Sequence, residues 1–468
     1  MVGERSIGPE MPPMSEATRT DAIVVGAGIS GLTAGFYLSR AGLETVVLEA
    51  SGRTGGAIET LRVGEWVFER GPNTVLGKPP VQRLLADAEL GDRVIEAHPA
   101  AKRRYLWKGD RLLPLPGGPL GLVRTPLFSW RAKLRLLAEP FVGRAPAEQE
   151  ETIAELVRRR LGGELLDYAV GPFVSGVYAG DPERLSVRWA VPRIHALEVE
   201  HGSLIRGALA RRQGPAPGGT MTSCRTGLEE LPDRLVAVIG ARGAVETTTP
   251  CRRIARDGGD FVVETEAETY RARRLLTAVP APALSELLSE ISGGVATPFA
   301  EIRYAPVVVC SFGFRREDVA HPLDGFGFLA PRKESVRILG CLFPSSVFPG
   351  RAPEGHAALT VFAGGATDPG IMDLADEEIR ALVLEELDRC LGLAGEPVVE
   401  DLRRWPRAIP QYEVGHGRFV ELAAGLERDV PGLALAGSFL SGPSVPDCIE
   451  LARRKAEELL AYGPSHGW

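Results

Sequence analysis

The sequence predicts an α/β fold with a Rossmann-like domain near its N-terminus. Three observations support this prediction: a short apolar strand at 22–25 runs into a glycine-rich turn, a helical pattern follows and closes at Gly42, and a second apolar strand at 45–48 leads to Glu49. Such units bind dinucleotides, because glycines let the backbone approach a pyrophosphate and the helix N-terminus faces its charge. The length of 468 residues exceeds one compact core, so we expect two or three domains.

The glycine turn has the spacing G-x-G-x-x-G, formed by Gly26, Gly28 and Gly31. A chain this rich in glycine contains such a triplet by chance. Its weight therefore comes from the strand before it, the helix after it and the acidic residue 18 positions beyond it. The carboxylate of Glu49 can accept a hydrogen bond from a ribose hydroxyl and would repel a 2′-phosphate. A tight strand–helix turn without a ligand is the alternative interpretation.

The next residues distinguish flavin from nicotinamide. Arg53, Gly55 and Gly56 follow the acidic strand end directly and leave no room for the helix that a dehydrogenase places there. Adjacent glycines offer bare backbone for a second close approach to the dinucleotide, while Arg53 supplies a cation or orders the loop. A simple glycine hairpin is the alternative. The pattern E-x-x-x-R-x-G-G resembles the FAD-dependent oxidases, a large family that includes amine oxidases, carotenoid desaturases and protoporphyrinogen oxidases, and it indicates FAD as the cofactor.

The composition is that of a globular protein, with 44% hydrophobic and 25% charged residues. A net charge of −7 argues against nucleic-acid binding. Six scattered cysteines without a C-x-x-C pair indicate reduced thiols in a cytoplasmic protein, so we expect neither a disulfide framework nor a metal site. Residues 1–20 lack the apolar stretch of a signal peptide and are predicted to be a disordered tail. No apolar run long enough for a membrane span occurs.

The Rossmann-like domain is predicted to be assembled from separate segments. An apolar strand at 275–279 precedes a proline-rich turn and a helix, and a strand ending at Gly437 precedes a polar loop and a helix that begins near Asp447. Further helices are predicted at 81–90, 152–161, 204–212 and 376–391. The expected domains are an FAD-binding domain at 21–79, 216–290 and 406–468, a helical insertion at 80–215, and a mixed-sheet substrate-binding domain at 291–405.

Positive charge is concentrated between Lys102 and Arg135, with nine lysines and arginines against the single acid Asp110. Leucine, phenylalanine and tryptophan residues are interleaved with them. Such a segment fits a membrane surface, because anionic head groups attract the cations while the apolar side chains enter the interface. A solvated face over an ordinary core is an equal alternative. The first interpretation predicts peripheral contact of this cytoplasmic protein with the inner face of the cytoplasmic membrane, and the second predicts none. A homodimer is a further expectation.

From about residue 20 to 460 the chain resembles the oxygen-dependent protoporphyrinogen oxidase family, together with its close relative, bacterial coproporphyrinogen oxidase. The resemblance rests on eight motifs, of which only GAGISGL at 26–32 is shared by flavoproteins at large. The motifs are GAGISGL at 26–32, the turn at 70–73, HPAAKRRYLW at 98–107, SGVYAGDPERLS at 175–186, GFGFLAP at 325–331, LGCLFPSSVFPGRAP at 339–353, IPQYEVGH at 409–416 and PDCI at 446–449.

This resemblance implies oxidation of protoporphyrinogen IX to protoporphyrin IX in porphyrin and haem biosynthesis. FAD would remove six electrons in three rounds, with O2 as acceptor and H2O2 as product. Oxidation of coproporphyrinogen III to coproporphyrin III is the alternative, and an amine oxidase or carotenoid desaturase type of enzyme is another. A non-catalytic scaffold of the haem pathway that binds flavin poorly is a hypothesis of a different class.

The resemblance also implies the site residues. Arg104 would pair with a substrate propionate, the backbone of Gly176 would face the macrocycle, and Leu329, Leu342 and Phe362 would sandwich pyrrole rings. Each has a simpler alternative: a membrane-facing cation for Arg104, a turn glycine for Gly176, and sheet core for the other three. No catalytic residue is predicted, because hydride transfer to flavin leaves the protein to supply position.

The resemblance further implies which residues bind the cofactor. They are Gly26, Ala27, Gly28, Ile29, Ser30, Gly31, Glu49, Arg53, Gly55, Gly56, Ala57, Gly71, Pro72, Asn73, Thr74, Cys251, Ser438, Pro443, Ser444 and Val445. The C-terminal loop departs from the family, because Leu440 and Pro443 stand where relatives have a tyrosine and a Gly-Val step. Pro443 removes a backbone N–H that could contact the flavin.

Overall fold

The computed structural model of the protein describes residues 17–146, 149–211 and 219–462, and it has the predicted α/β fold. A five-stranded parallel sheet forms the Rossmann-like core. Its strands in spatial order are Ala244–Glu246, Thr45–Leu48, Ala22–Val25, Arg274–Thr277 and Leu433–Leu435. The central strands are short, apolar and fully buried, as expected for a parallel sheet covered on both faces.

Helices cover one face of this sheet and a smaller sheet with helices covers the other. The first layer contains Ile29–Arg40, Pro79–Asp87, Glu230–Ile239 and Val445–Ala461. The second contains Ala281–Leu287, Gly417–Asp429 and a four-stranded sheet in the order Thr18–Arg19, Thr269–Ala272, Asp260–Glu264 and Arg253–Asp257. Alternate residues of the strand Ala22–Val25 pack into the two layers, which follows from the period of two of an extended chain.

Two of these elements correct the predictions from sequence. The predicted disordered tail includes Thr18–Arg19, but these residues pair in parallel with Tyr270 and Arg271; residues 1–16 lie outside the described residues. The helix Pro79–Asp87 falls in the predicted helical insertion, but its buried Val81 and Leu84 pack in the Rossmann-like core. Local periodicity predicts that such a helix exists, whereas its packing partners are set by tertiary structure.

A seven-stranded mixed sheet forms the second large unit. Its strands in spatial order are Val399–Pro410, Tyr304–Arg315, His356–Gly364, Ile338–Leu342, Gly327–Leu329, Tyr105–Trp107 and Leu112–Pro114. All neighbours are antiparallel except Gly327–Leu329 and Tyr105–Trp107. One face packs against the helix Asp376–Leu391, which confirms the helix predicted there, and part of the other face, with Val309 and Phe362, lines a cavity.

The segment at 80–215 is helix-rich, and it also supplies the hairpin at 105–114 to the seven-stranded sheet, which the prediction of a helical insertion did not include. Its further helices are Pro119–Arg124, Trp130–Leu137, Ile153–Arg160, Gly163–Leu165, Gly171–Tyr178, Val187–Ala190, Pro192–His201 and Leu204–Arg211, with a π-helical turn at Leu166–Val170. The helices predicted at 152–161 and 204–212 are confirmed among the described residues. The domain boundaries themselves stay predictions.

The remaining elements are small. A three-stranded sheet has the order Val75–Leu76, Met221–Cys224 and Val94–Glu96, and a hairpin pairs Thr60–Val63 with Trp66–Glu69. Short helices span Pro344–Val347 and Ser438–Ser441, and the 3₁₀ turns are Gly91–Arg93, Pro99–Lys102, Glu139–Phe141, Thr297–Glu301, Arg316–Asp318, Arg332–Glu334 and Pro369–Asp373. No helix in the described ranges combines the length and apolar character that a membrane crossing requires.

Candidate functional site

A cavity of about 1650 Å³ lies between the carboxyl ends of the five parallel strands and one face of the seven-stranded sheet. This is the edge at which open α/β sheets bind ligands. The predicted substrate residues Arg104, Gly176, Leu329, Leu342 and Phe362 all line it. So do the predicted cofactor residues Gly26, Gly28, Ile29, Ser30, Glu49, Arg53, Gly55, Gly56, Ala57, Gly71, Pro72, Asn73, Thr74, Cys251, Ser438, Pro443, Ser444 and Val445. The buried Ala27 and Gly31 do not line the cavity but lie behind the glycine turn.

The glycine turn has no space for side chains at its crossing point. A Cβ at Gly31 would lie 1.8 Å from the carbonyl oxygen of Gly26, and Gly26 itself has a φ of +101°, which favours glycine. The second glycine loop packs directly against this turn, because the N–H of Gly55 donates to the carbonyl of Ala27 at 2.8 Å. The two loops therefore form one bare backbone wall at the N-terminus of the helix Ile29–Arg40, the arrangement that a pyrophosphate requires.

Glu49 lies at the end of its strand and anchors both sides of this wall. Its Oε2 accepts the backbone N–H of Ala27 at 2.8 Å. Its Oε1 accepts the N–H of Ser51 at 2.8 Å and the Ser51 hydroxyl at 2.7 Å. The carboxylate is thus fixed in position and lines the cavity, and its contact with a ribose hydroxyl stays a prediction.

Arg53 orders the glycine loop, which is one of the two roles predicted for it. Its guanidinium donates to the carbonyls of Thr54 and Ile58, each at 3.0 Å, and to that of Gly56. It also contacts the Glu59 carboxylate at 3.2 Å. Three hydrogen bonds from the Arg53 guanidinium to backbone carbonyls hold the loop closed against the glycine turn.

An ion-pair network lies behind this loop. Glu59 contacts Arg53, Arg70 at 2.8 Å and Arg403 at 3.1 Å, and Arg70 also donates to Asp401 at 2.8 Å. Three arginines thus meet two carboxylates, which leaves this network, counted without Glu49, with one positive charge in excess. This excess fits the negative charge of a dinucleotide phosphate.

The turn at 70–73 contributes an acceptor. Asn73 lines the cavity, and its side-chain N–H groups donate to the carbonyls of Gly71 at 3.1 Å and Glu69 at 3.3 Å. Its buried Oδ1 accepts no hydrogen bond from the described residues. A buried amide oxygen without a donor is costly, so a donor on a bound group would stabilise the turn. The bare backbone wall, the excess charge and this free acceptor together fit FAD.

The C-terminal loop brings a second helix to the cavity, beside the helix Ile29–Arg40 against which it packs. The helix Val445–Ala461 begins two residues before the predicted start, and Ser444 caps it by accepting the N–H of Asp447 at 3.4 Å. Pro443 and Pro446 have no N–H to offer. Few donors of this helix end are therefore available to a ligand, and contact through Ser438, Ser444 and Val445 stays a prediction.

The apolar wall of the cavity is one face of the seven-stranded sheet. Phe362, Gly340 and Leu329 lie opposite each other on three adjacent strands, and Leu342 lies two residues along from Gly340. A Cβ at Gly176 would lie 2.4 Å from the Leu329 Cδ2 atom. Packing therefore also explains why residue 176 is a glycine, because the helix Gly171–Tyr178 approaches this sheet closely. The predicted contact of Gly176 with a substrate stays a prediction.

Arg104 is a cation without a counter-ion. Among the described residues no carboxylate lies within salt-bridge distance of its guanidinium, whose contacts are the Phe326 ring at 5.0 Å and the Met221 sulfur at 4.0 Å. Burial lowers the pKa of Arg104, but an arginine stays charged at neutral pH. The side chain can therefore bind a carboxylate without first breaking an internal ion pair.

Sequence analysis missed an aromatic wall on the cofactor side. Trp405 lines the cavity, donates its indole N–H to the Arg70 carbonyl at 2.6 Å, and lies beneath the Arg403 guanidinium at 4.6 Å. Residues 403, 405 and 407 alternate along one strand and all line the cavity. This period of two in a strand is the signal that could have identified them.

The cysteine thiols in the cavity wall are unreactive at neutral pH. Burial raises the pKa of Cys251 and of Cys448 to about 12 each. Burial also raises the pKa of Cys341, the third cysteine that lines the cavity, so none of the three thiols forms a reactive thiolate at neutral pH. The predicted part of Cys251 in cofactor binding stays a prediction.

Comparison with known proteins identifies the class. Residues 29–460 match the flavin-containing amine oxidoreductase family. The protoporphyrinogen oxidase of chloroplasts from Oryza sativa subsp. japonica is 33% identical over 94% of this chain and 88% of its own length. The coproporphyrinogen III oxidase of Bacillus subtilis is 29% identical over 94% of this chain and 98% of its own length.

The fold agrees with these relatives. A crystal structure from Exiguobacterium sp. 255-15, assigned as a protoporphyrinogen oxidase, superposes with a TM-score of 0.81 at 27% identity and covers 96% of this chain and all of that one. The chain belongs to the flavin-containing amine oxidoreductases and, within them, to the protoporphyrinogen oxidase family. It is an FAD-dependent oxidoreductase.

Proposed function

We propose that this protein oxidises protoporphyrinogen IX to protoporphyrin IX in porphyrin biosynthesis. The observation that carries this proposal is Arg104, which has no carboxylate partner among the described residues and lines the cavity together with the apolar Leu329, Leu342 and Phe362. Bound FAD supplies the two-electron acceptor. Three rounds remove six electrons and six protons from the porphyrinogen, and three O2 are reduced to three H2O2.

The protein's own part is to bind and to orient. Leu329, Leu342 and Phe362 offer an apolar wall to the flexible tetrapyrrole, which is held by buried area. Arg104 at the edge of this wall would bind a propionate through its planar guanidinium and so fix one orientation. Water is excluded by the same apolar surface, so the reacting carbon meets the cofactor in a dry site.

The polarity of the cavity favours protoporphyrinogen over coproporphyrinogen. Among the described lining residues, the charged ones other than Arg104 are Glu49, Arg53, Lys78, Glu286, Arg403, Arg407 and Asp447, and Lys78 is already paired with Asp447 at 3.2 Å. The strand that carries Arg403 and Arg407 lies five strands from the one beside Arg104, about 24 Å at the usual strand spacing. Two extra propionates in the apolar half would be buried without a cation, which is costly.

Coproporphyrinogen III is the second candidate, and the Bacillus relative favours it. Anaerobic mixing with each porphyrinogen, while the flavin absorbance is followed, decides between them. We expect protoporphyrinogen to bleach the flavin faster at low concentration. Faster bleaching by coproporphyrinogen would contradict the argument from polarity, and no bleaching by either would contradict the proposed function.

A peripheral membrane contact is supported by an exposed apolar patch, defined as Leu120, Val123, Trp130, Leu134, Leu137 and Phe141, whose side chains are 50–84% exposed. Lys133 lies 4.7 Å above the Trp130 ring, so cations and aromatic groups share this surface. Leu136, between two patch residues, lines the cavity. We therefore propose that this patch, close to the cavity, contacts the inner face of the cytoplasmic membrane. A homodimer stays an expectation.

A further inference from the structure

The motif IPQYEVGH at 409–416 has no part in the proposed function so far. It follows the strand Val399–Pro410 at the edge of the seven-stranded sheet. Gln411, Tyr412 and His416 are polar, yet only 5%, 2% and 2% exposed. Buried polar side chains in a turn need hydrogen-bond partners, and here the partners lie in two different walls of the cavity.

Towards the cofactor, Tyr412 and His416 bind the backbone of the loop at 438–442. The Tyr412 hydroxyl accepts the N–H of Gly442 at 2.7 Å and donates to the carbonyl of Ser438. The His416 Nε2 lies 2.8 Å from the carbonyl of Phe439, so this nitrogen carries the proton. The two rings pack at 4.3 Å. Two side chains thus hold three backbone groups of one short loop.

Towards the substrate, Gln411 binds the end of the helix Gly171–Tyr178. Its side-chain N–H groups donate to the carbonyls of Tyr178 and Ile409, each at 3.0 Å. The carbonyl of Tyr412 also accepts the N–H of Ser186 at 2.8 Å. This helix carries Gly176 against Leu329 in the apolar wall. The motif SGVYAGD and the motif IPQYEVGH therefore meet in space.

We propose that Gln411, Tyr412 and His416 are positioning residues, which set the cofactor loop at 438–442 against the substrate-binding helix Gly171–Tyr178 and so fix the separation between flavin and porphyrinogen. The inference rests on the proposed function for its substrate. Its physical reason is that hydride transfer depends steeply on geometry, and a displacement of about 1 Å can cost about 100-fold in rate.

The test compares Tyr412→Phe with Tyr270→Phe. The first removes one hydroxyl and keeps the buried ring. The second removes the hydroxyl of another buried tyrosine, bound to Glu246 at 2.6 Å and Glu268 at 3.0 Å, which does not line the cavity. We expect Tyr412→Phe to alter the visible circular dichroism of bound FAD and to slow anaerobic flavin reduction about 10- to 100-fold. The Kd for porphyrinogen should change less than about threefold, which is about half of a tenfold step in binding free energy, and Tyr270→Phe should change none of these.

A second pair of variants tests the hydrogen bond of His416. His416→Gln can still donate from a nitrogen near the Nε2 position, whereas His416→Ala cannot. We expect the glutamine variant to recover most of the rate that the alanine variant loses. Equal losses in the two variants would contradict a hydrogen-bonding role for His416.

Unchanged dichroism and reduction rate in Tyr412→Phe would overturn the proposal. If Tyr412→Phe does not fold, Gln411→Met provides the test, because it leaves the contacts of Tyr412 and His416 in place. A wild-type rate of flavin reduction in Gln411→Met would also overturn the proposal. The dichroism needs no porphyrinogen. If neither porphyrinogen bleaches the wild-type flavin, the proposed function fails while the positioning role is still tested.

Discussion

Replacing Arg104 by alanine tests the substrate site most directly. The guanidinium has no carboxylate partner among the described residues, so its removal breaks no internal ion pair and should leave the fold intact. A hydrogen bond to a charged group contributes about 1.5–3 kcal/mol. Since 1.4 kcal/mol corresponds to a factor of ten, we expect the Kd for protoporphyrinogen to rise about 10- to 150-fold.

The assay is anaerobic stopped-flow bleaching of the flavin over a range of porphyrinogen concentrations, which separates Kd from the limiting rate. Arg104→Lys keeps the charge but loses the planar fork, so its Kd should lie between those of the wild type and Arg104→Ala. Arg111→Ala is the matched control, because this arginine lies on the same hairpin, is exposed and does not line the cavity. An unchanged Kd in Arg104→Ala, or an equal rise in the Arg111 control, would refute the reasoning.

Three further predictions concern the cofactor wall, the membrane and pH. Gly31→Ala should weaken FAD binding at least tenfold by fluorescence titration, because its Cβ would lie 1.8 Å from a loop carbonyl, whereas Gly91→Ala, with open space around it, should not. Replacing Trp130 and Phe141 together by glutamate should abolish sedimentation with anionic vesicles; binding that persists, or that ignores salt, would count against the membrane contact. Burial raises the pKa of Glu69 to about 7. The wild type should therefore lose stability to unfolding as pH rises from about 4.5 to 7, by up to about 3 kcal/mol, and Glu69→Gln should remove that slope; equal slopes would contradict the assignment.

The Rossmann-like unit could be predicted because its signals are local. The strand Ala22–Val25 and the helix Ile29–Arg40 show their periods within a dozen residues, and the glycine spacing marks the turn between them. The loop-ordering role of Arg53 was one of two predicted roles. The structure distinguishes them, because the carbonyls that bind its guanidinium belong to the same loop.

The rest depends on contacts that local patterns do not contain. The strand Tyr105–Trp107 pairs with Gly327–Leu329, far away in the chain, so its place in the sheet could not be predicted. The absence of a counter-ion beside Arg104, within the part of the chain that the structure describes, likewise depends on tertiary structure. Family resemblance named the substrate residues, whereas only the structure gives Gly176 its packing partner and shows that Trp405 faces the cofactor side.

The distribution of the motifs separates two physical tasks. The motif shared with flavoproteins at large builds the bare backbone wall, because any FAD enzyme must hold the same phosphates. The family-specific motifs at 175–186 and 409–416 contact each other through Gln411 and Tyr178, at the joint between the cofactor loop and the apolar wall. A large apolar substrate with a single charged anchor is free to rotate about that anchor unless its walls are rigid. The specificity of this enzyme for a tetrapyrrole should therefore depend on Gln411, Tyr412 and His416, which fix the separation of the two walls. It should depend on them as much as on the residues that touch the substrate.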